Sequence, residues 1–196
     1  MTFGYLKGNK MKITDNTKNL TFIALMTAFI CILGPLSIPI GPVPVSLQNF
    51  AIYLALYIVG MKRGTIAFLL YMLLGLVGLP VFAGFTGGLQ KIVGPTGGYL
   101  VGFIFMTVLA GWVLDNYYQK RILCVAGMFL ATCIPYLLGT LWLSHSAGMR
   151  LASAFAVGVM PFVLEDLAKM VVAAIVGPRL RERLDKAGII TYAKKS

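Results

Sequence analysis

Apolar runs separated by short polar or Gly/Pro-rich breaks dominate this chain. Six stand out, at residues 20–36, 45–59, 64–79, 98–114, 122–143 and 161–176. A helix crosses the bilayer hydrocarbon in ~20 residues, and in lipid its backbone satisfies its own hydrogen bonds. With 196 residues, 59% of them hydrophobic and only 12% charged, against about 25% charged in a soluble domain, there is room for about six spans and little else. The expected fold class is an all-α integral membrane protein of the cell membrane, with six transmembrane helices in one membrane domain, 20–185. Residues 1–19 and 186–196 are expected to be cytoplasmic N- and C-terminal segments.

The breaks carry the topology. "GPLSIPIGPVPV" cannot continue a helix, "MKRG" and "DNYYQKR" read as short turns, and "PVFAGFTGGLQKIVGPTGG" is a long glycine-rich connection. Fourteen of the seventeen Lys and Arg residues fall before the first run or after the second, fourth and sixth; Lys91 and Arg150 fall on the other side, and Lys169 within a span. By the positive-inside rule both termini are cytoplasmic and the number of spans is even. The +11 net charge is therefore a topology signal that can also touch anionic lipid, and it is no nucleic-acid patch. The first run lacks a small-x-small cleavage site before "GPLSIPIGPVP" and is read as a retained helix. "MTFGYLKGNK" has no evident structural role, and Met11 is as good a start as Met1. "SHSAGMRLASAFAVGVM" is expected to lie along the outer interface as a short helix, with Pro161 at the first position of the last span.

That last span, "PFVLEDLAKMVVAAIV", carries the costly residues. Asp166 and Lys169 are three apart and share a helix face. They lie ~7.5 and ~12 Å along the helix from Pro161, a depth that an outside ligand can reach. An ionised side chain near mid-span costs ~2.5–3.5 kcal/mol on insertion scales, so the two either neutralise each other structurally or face a polar pocket. Glu165 is one residue off that face. In the glycine-rich connection, backbone N–H groups can approach a ligand closely, and Phe82, Phe85, Leu89, Ile92 and Val93 favour a packed lid over disorder. Gln90 and Lys91 offer donors to a carboxylate. Ala24 and Ala28 have the small-xxx-small spacing that admits a second helix, from this chain or another.

Other chemistry is thinly represented. No G-x-x-x-x-G-K-[ST] occurs, so ATP is not bound by that loop. Cys31, Cys124 and Cys133 lie in apolar runs with no metal spacing. His145, the one histidine, sits in a loop between two serines, which is weak ground for a hydrolase. No internal repeat marks a self-sufficient transporter.

Three segments together resemble the BioY family, the biotin-binding S components of energy-coupling-factor transporters: "IPIGPVPVSLQNF", "GGLQKIVGPTGGYLVGF" and "VLEDLAK". The resemblance runs from about residue 20 to residue 185, with Ser46 where the family pattern has Thr. It implies a six-helix S-component fold with both termini inside and biotin captured from outside. It also implies a transmembrane coupling protein and two ATPases as partners, docked through the Ala24/Ala28 face. The ligand would be biotin, with no cofactor and no catalysis. Biotin's ureido ring has two N–H donors and a carbonyl, and its tail ends in a carboxylate. Asp166 would accept from a ureido N–H; Lys169 would donate to the ureido carbonyl or meet the carboxylate. Gln48 and Gln90 are further donors, Gly98 belongs to the glycine signature, and Phe85, Tyr99 and Tyr136 are candidate walls. The competing expectation is a membrane-embedded enzyme acting on an amphipathic substrate through Asp166 and Lys169.

Overall fold

The structure is a computed structural model that describes the backbone of residues 3–190 and the side chains of residues 16–190. The side chains of Lys7, Lys10, Lys12, Lys194 and Lys195 lie outside the described residues.

The first apolar run lies in α1 (Phe3–Leu33). The Pro/Gly-rich break after it folds into a small antiparallel hairpin of β1 (Ser37–Ile38) and β2 (Val45–Ser46), pairing Ser37 with Ser46 and Ile38 with Val45. The second and third runs form α2 (Gln48–Leu76), interrupted at Gly60 (φ 79°, ψ 176°). The chain reverses at that residue, so the short turn expected at "MKRG" is made by the one residue before it, and residues 61–64 are already helical. A Cβ on Gly64 would sit 2.7 Å from Leu56 Cδ2, whereas residues eight apart in a straight helix are separated by about 12 Å. Only glycine takes this φ without strain. The new helix start is capped from outside, because Asp115 Oδ2 accepts from the Met61 N–H at 2.9 Å.

The glycine-rich connection is ordered by an isolated bridge, Phe82 to Thr86, and by the single turn α3 (Gln90–Val93). Then come α4 (Gly97–Tyr117), α5 (Arg121–Ser146), the short α6 (Leu151–Gly158) in the segment where a short helix was expected, and α7 (Met160–Lys186), with Pro161 in its first turn. Among the described residues four helical segments are long and apolar enough to cross a membrane: Asn16–Leu33, Gln48–Val77, Gly97–Tyr117 and Arg121–Ser146. The second crosses twice because of the reversal at Gly60, and the charged α7, packed on α2 and α5, supplies the sixth traverse.

The two arms of α2 form the centre, with Tyr53, Tyr57, Phe68 and Tyr71 fully buried between α1, α4 and α7. Small residues set the approach of the helices, as expected where lipid offers no hydrophobic drive between them. A Cβ on Gly102 would strike Pro135, and one on Gly177 would strike the Tyr57 ring. Thr27 adds a cross-helix hydrogen bond to Ala67 O at 3.2 Å. The six traverses bring both ends of the described chain to one end of the bundle, where Lys18, Asn19, Arg63 and Gly188 surround a polar recess. The hairpin, the glycine-rich loop and α6 occupy the opposite end.

Candidate functional site

At the loop end, the hairpin, the starts of α2, α4 and α7, the body of α5 and the glycine-rich loop enclose a cavity. Its polar wall is built on α7. Asp166 is 6% exposed. One of its carboxylate oxygens accepts from the Asn49 side-chain amide and the other from the Tyr136 hydroxyl at 2.6 Å. Lys169 Nζ lies 3.5 Å from Asp166 Oδ1 and pairs one helical turn back with Glu165. The same ammonium donates to Asn49 Oδ1 at 3.1 Å and to the Ser46 carbonyl of β2. One cluster thus ties α7 to α2, α5 and the hairpin. With the three charged groups ionised, two carboxylates and one ammonium leave it one negative charge in excess.

Two donors facing the cavity are uncommitted. Gln48, 3% exposed, lines it, and its Nε2 has no hydrogen-bond partner. A buried amide left unpaired costs ≈1–3 kcal/mol, which a ligand acceptor would recover. Lys91 reaches the cavity from α3, on the side of the loop. The rest of the wall is largely apolar, including Phe82, Leu100, Phe103 and Phe162, the composition of a small-molecule site. Tyr99 lines it and donates to Gly158 O at 3.0 Å, fixing the junction of α6 and α7.

The loop over the cavity is held at its edges. Gly84 N–H donates to Pro35 O at 3.0 Å, Gly88 N–H to Gly75 O at 2.7 Å, and Trp142 Nε1 to Gly94 O at 2.9 Å. Phe82, 2% exposed, anchors it by packing edge-on against Tyr71 at 5.6 Å. This is possible because position 75 is glycine: a Cβ there would fall 2.2 Å from the Phe82 ring.

Of the residues expected at the site, Gln48, Lys91, Tyr99, Tyr136, Asp166 and Lys169 line this one cavity. Phe85, Gln90 and Gly98 do not. Phe85 has a positive φ of 55° and is 65% exposed, so the turn throws its ring outward. Gln90 is exposed on α3. Gly98 lies where α4 meets α5, with Leu138 O 2.5 Å from the place a Cβ would take. Ala24 and Ala28 are exposed on the outer face of α1, away from the cavity. Asn49 was missed, although it touches both Asp166 and Lys169; an amide directly after Gln48 in an otherwise apolar run was the signal that was there to read. Glu165, placed off the Asp166 face, enters the cluster because the long Lys169 stem reaches back one turn. His145 lies outside the cavity, 6.4 Å from the Trp142 ring. Among the described residues no group of three His, Cys, Asp or Glu side chains could hold a metal.

The model of the BioY family matches residues 4–186. The biotin transporter BioY of Thermotoga maritima is 42% identical over 158 residues, 81% of this chain and 92% of that protein. The probable biotin transporter BioY of Pyrococcus horikoshii is 38% identical over 164 residues, 84% of this chain and 96% of that one. Among solved structures, the S-component for biotin from an ECF-type ABC transporter superposes with a TM-score of 0.79 at 35% identity, over 86% of this chain and 93% of that one.

Proposed function

Since the chain belongs to the BioY family, we propose that it takes biotin into the cavity beneath the hairpin, as the membrane-embedded S component of an ECF-type transporter. It is a transporter subunit and not an enzyme. Biotin is its cargo, and its partners are a transmembrane coupling protein and two ATPases that supply the energy. The loop end faces outside and both termini are cytoplasmic, as the basic residues of the opposite end support.

The observation that carries this reading is the buried, unpaired Gln48 amide beside the Asp166–Asn49–Lys169 cluster in an otherwise largely apolar cavity. The cluster's polarity also orients the ligand. A carboxylate brought against Glu165 and Asp166 would meet like charge, whereas the neutral ureido ring offers N–H donors to the spare lone pairs of Asp166. Each carboxylate oxygen can accept two hydrogen bonds. The ureido ring therefore sits on α7, and the biotin carboxylate points to the loop, where Lys91 receives it.

Titration of the purified protein with biotin and with biotin amide, which lacks the negative charge, tests this. Lys91→Met is expected to weaken biotin about tenfold, the equivalent of about 1.4 kcal/mol, and to leave biotin amide unchanged. Equal weakening of both ligands would place the carboxylate elsewhere; failure of the unaltered protein to bind either would end the biotin reading itself.

A further inference from the structure

Away from the cavity, the outer surface between α5 and α7 is hollowed into a groove of about 700 Å3. Ile122, Val125, Ala126 and Phe129 line it from α5, and Leu167, Val171, Ala174 and Ile175 from α7. Ala174, 2% exposed, forms part of the floor. The helices run antiparallel, so the groove extends about 12 Å along each, from the basic end of the bundle toward the midplane; half of the ~30 Å hydrocarbon core is about 15 Å.

Among the described residues its only charged lining residue is Arg121, at the basic end. The stripe Leu167, Val171, Ile175 advances by four residues at a time, and its next member is the exposed Arg179. An arginine thus closes each wall at the same end. Neither takes part in the ion pairs of the described residues, which belong to Lys169 and Arg181. A trough without charge that leads to two uncommitted guanidinium groups mirrors a phospholipid, an acyl chain followed by phosphate. Guanidinium matches phosphate oxygens in a two-pronged geometry.

We infer that the α5/α7 groove binds one anionic phospholipid of the leaflet at the basic end, with an acyl chain along Val125, Phe129 and Val171 and its phosphate on Arg121 and Arg179. This is independent of what fills the cavity.

The test is native mass spectrometry of the full chain, purified in detergent and offered phosphatidylglycerol or phosphatidylcholine. Retention of one phosphatidylglycerol is expected to fall about thirty-fold in the Arg121→Gln/Arg179→Gln variant, from about 1 kcal/mol per basic residue. Lys62→Gln/Arg63→Gln removes two charges at the same end but outside the groove, and is expected to retain it as the unaltered protein does. Phosphatidylcholine retention should be the same in all three. Ala126→Trp, which fills the groove, is expected to displace phosphatidylglycerol. Undiminished retention in the double-arginine variant, or an equal loss in the Lys62/Arg63 control, overturns the proposal. So does an Ala126→Trp chain that keeps its lipid but no longer co-purifies with the coupling protein, since the groove would then seat a protein helix.

Discussion

The two ends of α7 use the same chemistry to different ends. At the loop end, Glu165, Asp166 and Lys169 meet Asn49 at the start of α2. At the basic end, Arg181, 7% exposed, meets Asp115 at 3.3 Å, and Asp115 caps Met61 at the start of the second arm of α2. Each cluster links α7 to α2 through charged side chains. The basic-end cluster is roofed, because the Arg181 guanidinium lies 4.6 Å from the centre of the Tyr118 ring, and Gly60 leaves no room for a side chain beside Asp115. The loop-end cluster borders a cavity and has an unpaired amide next to it. An ion pair whose groups are taken up by a helix start and a ring serves the fold, even with the Asp115 side chain 37% exposed, whereas one that borders a cavity and keeps spare acceptors suits a ligand.

The sharpest way to break that contrast is to alter one end and read both affinity and folding. Asp166→Asn or Lys169→Met is expected to weaken biotin by ~2–5 kcal/mol, the range for removing one partner of a buried charged pair, or roughly thirty-fold to several-thousand-fold by titration calorimetry. Lys169→Met strands two carboxylates, so Glu165→Gln/Asp166→Asn/Lys169→Met is the matched neutral variant. It should regain the melting temperature of the unaltered protein, as neutralised buried pairs do, without regaining affinity. Recovery of biotin binding together with folding would make the loop-end cluster structural, like its counterpart.

Arg181→Met should do the reverse. Breaking a buried pair costs ~3–5 kcal/mol and an exposed one under ~1 kcal/mol; the 37% exposure of the Asp115 side chain puts this one between, at about 2 kcal/mol. Thermal unfolding in detergent should register the loss while the folded fraction binds biotin normally. A parallel fall in affinity would show that the two ends are not separable. The smallest effect on the isolated chain is expected from Ala24→Trp/Ala28→Trp. The outer face of α1 should tolerate it within about 0.5 kcal/mol and with unchanged biotin affinity, yet assembly with the coupling protein should fail in a pull-down. A loss of biotin binding there would give α1 a part in the cavity.

Hydropathy made the six traverses legible, because in lipid the length of an apolar run is a physical requirement. The spacing of Asp166 and Lys169 identified the α7 side of the cavity for a similar reason: three residues apart on a helix is a fixed geometry. Distance along the chain hid the rest. Asn49 gains its meaning from a partner 117 residues away, and nothing local announces that pairing. The break at "MKRG" announced a reversal, but not that Gly60 alone makes it, with Lys62 and Arg63 already in a helix whose start Asp115 caps. Phe85 and Gln90 were misplaced because side-chain direction in a glycine-rich loop follows individual φ angles, and the left-handed turn at Phe85 has no sequence marker as clear as a glycine. The resemblance to the BioY family holds over the chain, but it could not say which loop residues face inward.

Among the described residues none of the cavity's walls comes from α1, yet both of its covers are joined to the end of that helix. The hairpin follows α1 within a few residues, and its Ser46 carbonyl holds Lys169; the loop is tied to Pro35, just past the end of α1, through Gly84. In mechanical terms α1 is a handle, and the hairpin and loop are two latches on one pivot. A displacement of the handle would be felt at both latches as well as in the bundle, where Thr27 joins α1 to α2.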